Sequence, residues 1–511
     1  MAIRCRSLIS CFRRCKPELE ERKLSMFTQI NNFAESSLQY SNSNGNLKSE
    51  IMRMKSPEAS ATSILQKWVD NGREVTISQL RYISRLLVQS RRYKHALEIG
   101  TWMEAQKGFR MSAADRAVRL ELIMEVRGLK EAEEYFKLIP DSASKKAASL
   151  PLLHGYVKER DIVKAEALMM NLNGLGLIVS PHPFNEMMKL YMATSNYEKV
   201  PLVILEMKNN KIPLNILSYN LWMSSCGEAS DVTKAEMVYK QMVNDENVEV
   251  GWSTLSTLAN IYVKVGLVDK ALSSLKNAER KLSTSNRLGY FFLITLYSSL
   301  KNNEGVWRLW EASKAVGGRI TCSNYMCILS CLVKVGEFIK AEKVFMEWES
   351  NCWKYDIRVS NVLLGAYVRN GMINKAESLH LHTLERGGCP NYKTWEILME
   401  GWVKSQKMDK AIIAMKEAFS MLKYCDWRPS HGILMAIAEY LEKNRNLGDA
   451  NCCIQVIHHF GVASLPLYKI LLRMHLHARR APFHILKMME KDKIEMDDET
   501  SVLVQAFSSH V

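Results

Sequence analysis

The sequence predicts an all-α protein: a right-handed α-solenoid of about twelve stacked helix–turn–helix repeats of about 35 residues. The first observation behind this is a fixed period. Gly336 and Gly371 lie 35 residues apart, as do Ala341 and Ala376, Ala376 and Ala411, Tyr156 and Tyr191, Tyr262 and Tyr297, and Asn185 and Asn220. Self-similarity at such a period is the signature of a repeat array. The second is composition: only 24 Gly and 12 Pro in 511 residues, with 28 Met, suits helices, which Gly and Pro break. The third is length. A chain of 511 residues exceeds one hydrophobic core, whereas an array adds core with every repeat.

Residues 1–17 hold Arg4, Arg6, Arg13, Arg14 and Lys16 and no acid, with Ile3, Leu8, Ile9 and Phe12 interleaved. A basic, acid-free, amphipathic start is the pattern of an organellar presequence, and Ser- and Asn-rich sequence follows it. Residues 1–47 are therefore read as presequence and disordered, 48–76 as an amino-terminal helical cap, 77–500 as the repeat array and 501–511 as a carboxy-terminal tail. Mitochondrion is the expected compartment, with chloroplast as the alternative. No run approaches the 18 consecutive apolar residues of a membrane span, so no membrane insertion is expected.

Each repeat has the same physics. A first helix carries an aromatic near its end: Tyr156, Tyr191, Tyr262, Tyr297, Tyr367 or Trp402. A Gly or polar turn follows. A second helix then presents a small residue where it crosses the first: Ala96, Ala132, Ala165, Ala235, Ala271, Ala341, Ala376, Ala411 or Ala450. A turn such as Cys389-Pro390-Asn391 stops that helix. One hairpin cannot bury its apolar face alone, so neighbours must stack.

The period, with Pro-Asn or Tyr-Asp closing a unit and Ser-Tyr-Asn or Val-Ser-Asn opening the next, resembles the pentatricopeptide repeat. The segment from Ala61 to Ile99 is similar to the start of a plant organellar subgroup with plain repeats and no catalytic tail. The resemblance implies binding of single-stranded organellar RNA, one base per repeat. It also implies that base selection rests on the fifth residue of a unit and on its last. Carried over, Asn185 with Asn215 and Asn361 with Asn391 are expected to read pyrimidines, and Ser256 with Asn286 a purine. The Asn361 side chain is expected to point into the groove rather than between hairpins. Asn220 is suitable, but its partner Gly251 has no side chain, and Leu150, Phe291, Met326 and Met435 cannot hydrogen-bond a base edge.

Lys and Arg exceed Asp and Glu by 69 to 54, a net charge of +15 and a pI near 9.1, which favours a polyanionic partner. At one register, thirteen residues into a unit, stand Lys158, Lys264, Lys334, Arg369, Lys404 and Lys443. Such a ladder can track a phosphate backbone. A cation near a helix C-terminus explains the same residues without RNA.

The spacing of the Cys and His residues does not converge on a metal. Cys322, Cys327 and Cys331 read as core, and Cys452, Cys453, His458 and His459 share one helix without a second ligand pair. Phosphate-loop, zinc-protease, hydrolase-elbow and deaminase signatures are missing, so no cofactor and no catalysis are expected. Two function classes follow: an RNA-binding adaptor in transcript stability, processing or translation, or a scaffold binding ribosomal or other organellar proteins.

Overall fold

The structure, a computed structural model, describes residues 47–54, 59–106, 108–421, 430–459 and 461–508. The expected presequence lies outside these residues, apart from Leu47. The described residues form 27 α-helices and no strand. The chain divides into two compact units, Met1–Lys281 and Leu282–Val511.

In the first unit, helices Leu47–Arg53 and Ala61–Asp70 precede six hairpins, from Ile77–Gln89 with Tyr93–Ala105 to Trp252–Val265 with Val268–Arg280. The second unit holds six more, from Leu288–Ser299 with Asn303–Lys314 to Leu465–His477 with Phe483–Lys491. A last helix, Asp498–Ser508, stands where a tail is expected. Asp497 starts it by accepting the Thr500 amide at 3.0 Å, and the Thr500 side chain is fully buried. This fold is the helical repeat solenoid that the period predicts.

The small residues let helices cross closely. Ala96, Ala132, Ala165, Ala235, Ala271, Ala341, Ala376 and Ala411 have no exposed surface. Turns between paired helices use one backbone device. Residues 160, 195, 230, 266, 301, 336, 371 and 406 all adopt a left-handed φ between 55° and 87°. Glycine fills three of these positions, 266, 336 and 371; elsewhere Arg, Ser, Lys or Gln takes the strain. The amide after each returns to a carbonyl near the helix end, as Met372 does to Tyr367 at 2.9 Å.

Hairpins are also clamped to one another by charge. A glutamate directly after the crossing alanine of one hairpin takes the aromatic of the next first helix and the lysine of the next second helix. Tyr191 and Lys199 meet Glu166 at 2.7 and 2.8 Å; Tyr262 and Lys270 meet Glu236 at 2.8 Å each. In the second unit Trp402 and Lys410 meet Glu377 at 2.6 and 2.9 Å. The lysines also lie over the rings, Lys199 at 5.3 Å from the Tyr191 centroid. Other hairpins lack the glutamate, with Leu272, Trp307 or Ile412 in its place; at Trp307 the facing tyrosine is replaced by Leu332, and Lys340 sits 5.6 Å over the Trp307 ring.

Candidate nucleic-acid interface

The base-reading candidates are set by helix starts. Asn215 is the N-cap of helix Ile216–Glu228, with extended backbone. Its Oδ1 accepts the Ser218 amide at 2.9 Å, and the Ser218 hydroxyl accepts the Asn215 amide at 3.3 Å, a reciprocal capping box. Asn185 comes from the first helix of the preceding hairpin and is 1% exposed. Its Nδ2 donates to Asn215 Oδ1 at 3.2 Å, and its Oδ1 accepts from Ser218 Oγ at 2.8 Å.

The second unit repeats this arrangement. Asn391 caps helix Tyr392–Lys404 in a box with Thr394. Asn361 Nδ2 donates to Asn391 Oδ1 at 3.2 Å, and Thr394 Oγ1 donates to Asn361 Oδ1 at 2.9 Å. Both expected pairs are therefore brought together, each tied by a hydroxyl that the sequence reading missed. The usable signal was a Ser or Thr three residues after the capping Asn, the spacing of a capping box. The Asn361 expectation needs correction. Its side chain is 8% exposed and bonded across to the next hairpin, so it lies between hairpins.

Asn220 shows what happens when the middle member is missing. Gly251 stands at the cap, and among the described residues both Asn220 Oδ1 and the Thr254 hydroxyl are buried without a hydrogen-bond partner. Ser256 is also a correction: it has no exposed surface and donates to the Trp252 carbonyl at 2.6 Å, so its hydroxyl is spent on its own helix. Asn286, in the second unit, is exposed and accepts the Leu288 amide at 2.8 Å.

The basic residues all stand in the last turn of a first helix, where the helix dipole favours a cation. In the first unit they are neutralised from the preceding hairpin: Lys158 lies 3.3 Å from Glu125, and Lys264 pairs with Glu228. The second unit differs. Lys334 donates to the uncharged Ser299 hydroxyl at 3.0 Å, and Lys404 pairs with Glu400 of its own helix at 2.6 Å. Arg369 is exposed and meets no carboxylate among the described residues. Lys443 continues the series, exposed. An unbroken run of cations on four successive hairpins is therefore confined to the second unit.

The cysteines described are free thiols. Of Cys322, Cys327 and Cys331, expected in the core, Cys331 is buried and the other two are half-buried; Cys226 and Cys453 are also buried, and Cys452 is exposed. Among the described residues no three His, Cys, Asp or Glu side chains are grouped to hold a metal, and no helix is long and apolar enough to cross a membrane.

The same repeat pattern is found in known proteins. A family model described as the pentatricopeptide repeat domain matches residues 167–229, and the single-repeat model matches 217–246, 323–352 and 359–387. A pentatricopeptide repeat-containing protein of Arabidopsis thaliana is 57% identical over 469 residues, 91% of this chain and 96% of the relative. Another from the same plant, named as mitochondrial, is 31% identical over 416 residues, 81% of this chain and 84% of the relative. Among solved structures, the pentatricopeptide repeat protein PPR10 in complex with an 18-nucleotide psaJ RNA element matches with a TM-score of 0.41 and 14% identity, over 97% of this chain and 85% of that one. On the identity and coverage of the first of these relatives, the chain belongs to the plant pentatricopeptide repeat proteins.

Proposed function

We propose that the protein is a single-stranded RNA-binding adaptor of an organelle, with plain repeats and no catalytic chemistry, acting in transcript stability, processing or translation by occluding or remodelling RNA. Family membership supports the class of partner, because such repeats address unpaired bases one by one. The observation that carries the reading is the run Lys334, Arg369, Lys404 and Lys443, at one register of successive hairpins and flanking the Asn361–Asn391 pair. A phosphate backbone wants charges at even spacing, and a base wants an amide pair beside them. The basic residues 1–17 and relatives named as mitochondrial support mitochondrial import.

A second reading keeps the solenoid as a protein-binding scaffold, among them one attached to the mitochondrial ribosome. The ion pairs of Lys158 and Lys264 and the buried Ser256 favour it, since they remove RNA contacts from the first unit. The experiment is binding of the full chain to a random pool of single-stranded RNA across a salt series. Binding that weakens steeply with salt supports the adaptor. No binding at low salt overturns it in favour of the scaffold.

A further inference from the structure

In each asparagine pair the supply of protons fixes the direction of the bonds. Asn391 Oδ1 already accepts the Thr394 amide at 3.0 Å and Asn361 Nδ2 at 3.2 Å. The Thr394 hydroxyl stands 2.9 Å from Asn361 Oδ1 and 3.1 Å from Asn391 Oδ1, but carries one proton. Since both lone pairs of Asn391 Oδ1 are supplied, the proton goes to Asn361 Oδ1. Thr394 is 1% exposed, so no water competes for it. Ser218, fully buried, does the same for Asn185 and Asn215.

We propose that Thr394 and Ser218 are positioning residues for base selection: each hydroxyl, supplied by the next hairpin, holds the amide of Asn361 or Asn185 in one orientation. One lone pair of its carbonyl is bound inside the protein, and the pair's N–H groups, the Asn391 or Asn215 Nδ2 above all, are the donors offered to a ligand. A donor set matches a base edge rich in acceptors. Cytosine presents N3 and O2, and uracil presents O2 and O4. Guanine presents two N–H groups side by side, and adenine a single ring acceptor beside an amine, so purines are disfavoured. The inference rests on the RNA-binding reading and adds which residue sets the selectivity. The incomplete third case agrees: with Gly251 at the cap, Asn220 Oδ1 and the Thr254 hydroxyl stay unpartnered, so the cap amide is what closes the network. Gly251 has φ −98°, and a Cβ there meets nothing within 4 Å, so an asparagine fits without strain.

The test selects from a random pool of single-stranded RNA with four full-length chains: wild type, Thr394→Val, Thr394→Ser and Gly251→Asn. Wild type is expected to enrich pyrimidine over purine by roughly tenfold at the position read by Asn361. Thr394→Val, which keeps shape and loses the hydroxyl, brings that ratio to about one while the other selected positions stay, and Thr394→Ser restores it. Gly251→Asn adds a pyrimidine preference at a position where wild type has none. A Thr394→Val chain that selects the wild-type motif overturns the proposal and leaves RNA binding standing, since a merely structural role lowers the melting temperature without moving a base ratio. If circular dichroism shows Thr394→Val unfolded, Gly251→Asn decides alone, and an unchanged motif overturns the proposal. A wild-type chain that binds no RNA is a different result and overturns the functional reading as well.

Discussion

The Tyr367 hydroxyl donates to Glu342 at 2.6 Å across two successive hairpins, and Lys375 reaches the same carboxylate oxygen at 2.8 Å. The hydrogen bonds from Lys375 and Tyr367 hold the Glu342 carboxyl below its usual range. Burial first, and then the carboxylate, push the Tyr367 phenol up, so at neutral pH the phenol stays the donor.

Acid should loosen the array through these clamps. At Glu377 burial opposes ionisation, but hydrogen bonds from Lys410, Trp402 and Lys407 outweigh it and hold the carboxyl at about 2, against an ordinary 4.5. A pKa depressed in the folded state adds stability that is present above the unfolded value and lost as pH falls through the folded one. The melting temperature should therefore fall between pH 4.5 and about 2. Glu377→Gln should start lower at pH 7 and fall less over that window. A variant as acid-sensitive as wild type would exclude this clamp as a contributor.

Asn361→Ala should cost stability as well as base selectivity. It removes a bond to Asn391 and the acceptor of a buried hydroxyl, together about 1–2 kcal/mol. Chemical denaturation measures this. A midpoint equal to wild type would mean that the network adds nothing to folding.

Gln406→Gly should stabilise the protein. Gln406 is exposed with φ +58°, at the position that Gly336 and Gly371 fill elsewhere. Relief of the left-handed strain, offset by the greater freedom of unfolded glycine, leaves a gain of about 0.5–1 kcal/mol. Thermal melting of the two chains checks it, and a lower melting temperature for the glycine variant would count against it.

Neutralising Lys334 and Arg369 to Gln should weaken binding to every RNA and flatten its salt dependence, by about 0.7 in slope for each phosphate that is no longer neutralised. The same change at Lys158 and Lys264 should do much less, because Glu125 and Glu228 already occupy those cations. Filter binding at several salt concentrations separates the two sets; equal losses of affinity would remove the distinction between the units.

Residues 1–60 fused to a fluorescent reporter should carry it into mitochondria, on the strength of five basic residues and no acid within residues 1–17. Microscopy against a mitochondrial dye tests this, and a reporter left in the cytosol refutes it.

The hairpins were legible because crossing alanines and end-of-helix aromatics recur with the period of the fold. The clamps were legible in principle too. Lys-Ala-Glu stands at 164–166, 234–236, 340–342 and 375–377, but only its alanine has a packing reason to recur, and a surface glutamate needs no explanation. Pairs between hairpins were harder. Glu228 shows up in sequence as a gap in the basic ladder, whereas in space it is the partner of Lys264, one repeat on. Ser256 failed for a local reason. A serine inside a helix can bond the carbonyl four residues back, and here it does, to Trp252.

Where a glutamate clamp is present, it gives one hairpin a carboxylate on the leaving side and the next an aromatic with an amine on the arriving side. Module exchange then obeys a grammar. A second copy of residues 357–391 inserted behind the first would place its phenol and amine on Glu377 and offer its own carboxylate to Trp402 and Lys410. The same module set directly behind residues 287–321 would bring a phenol against Trp307, where the natural chain has Leu332, and its hydroxyl would find no acceptor from that helix position. Repeats alike in length are thus not interchangeable, and a designer who lengthens this array must match edges as well as count residues.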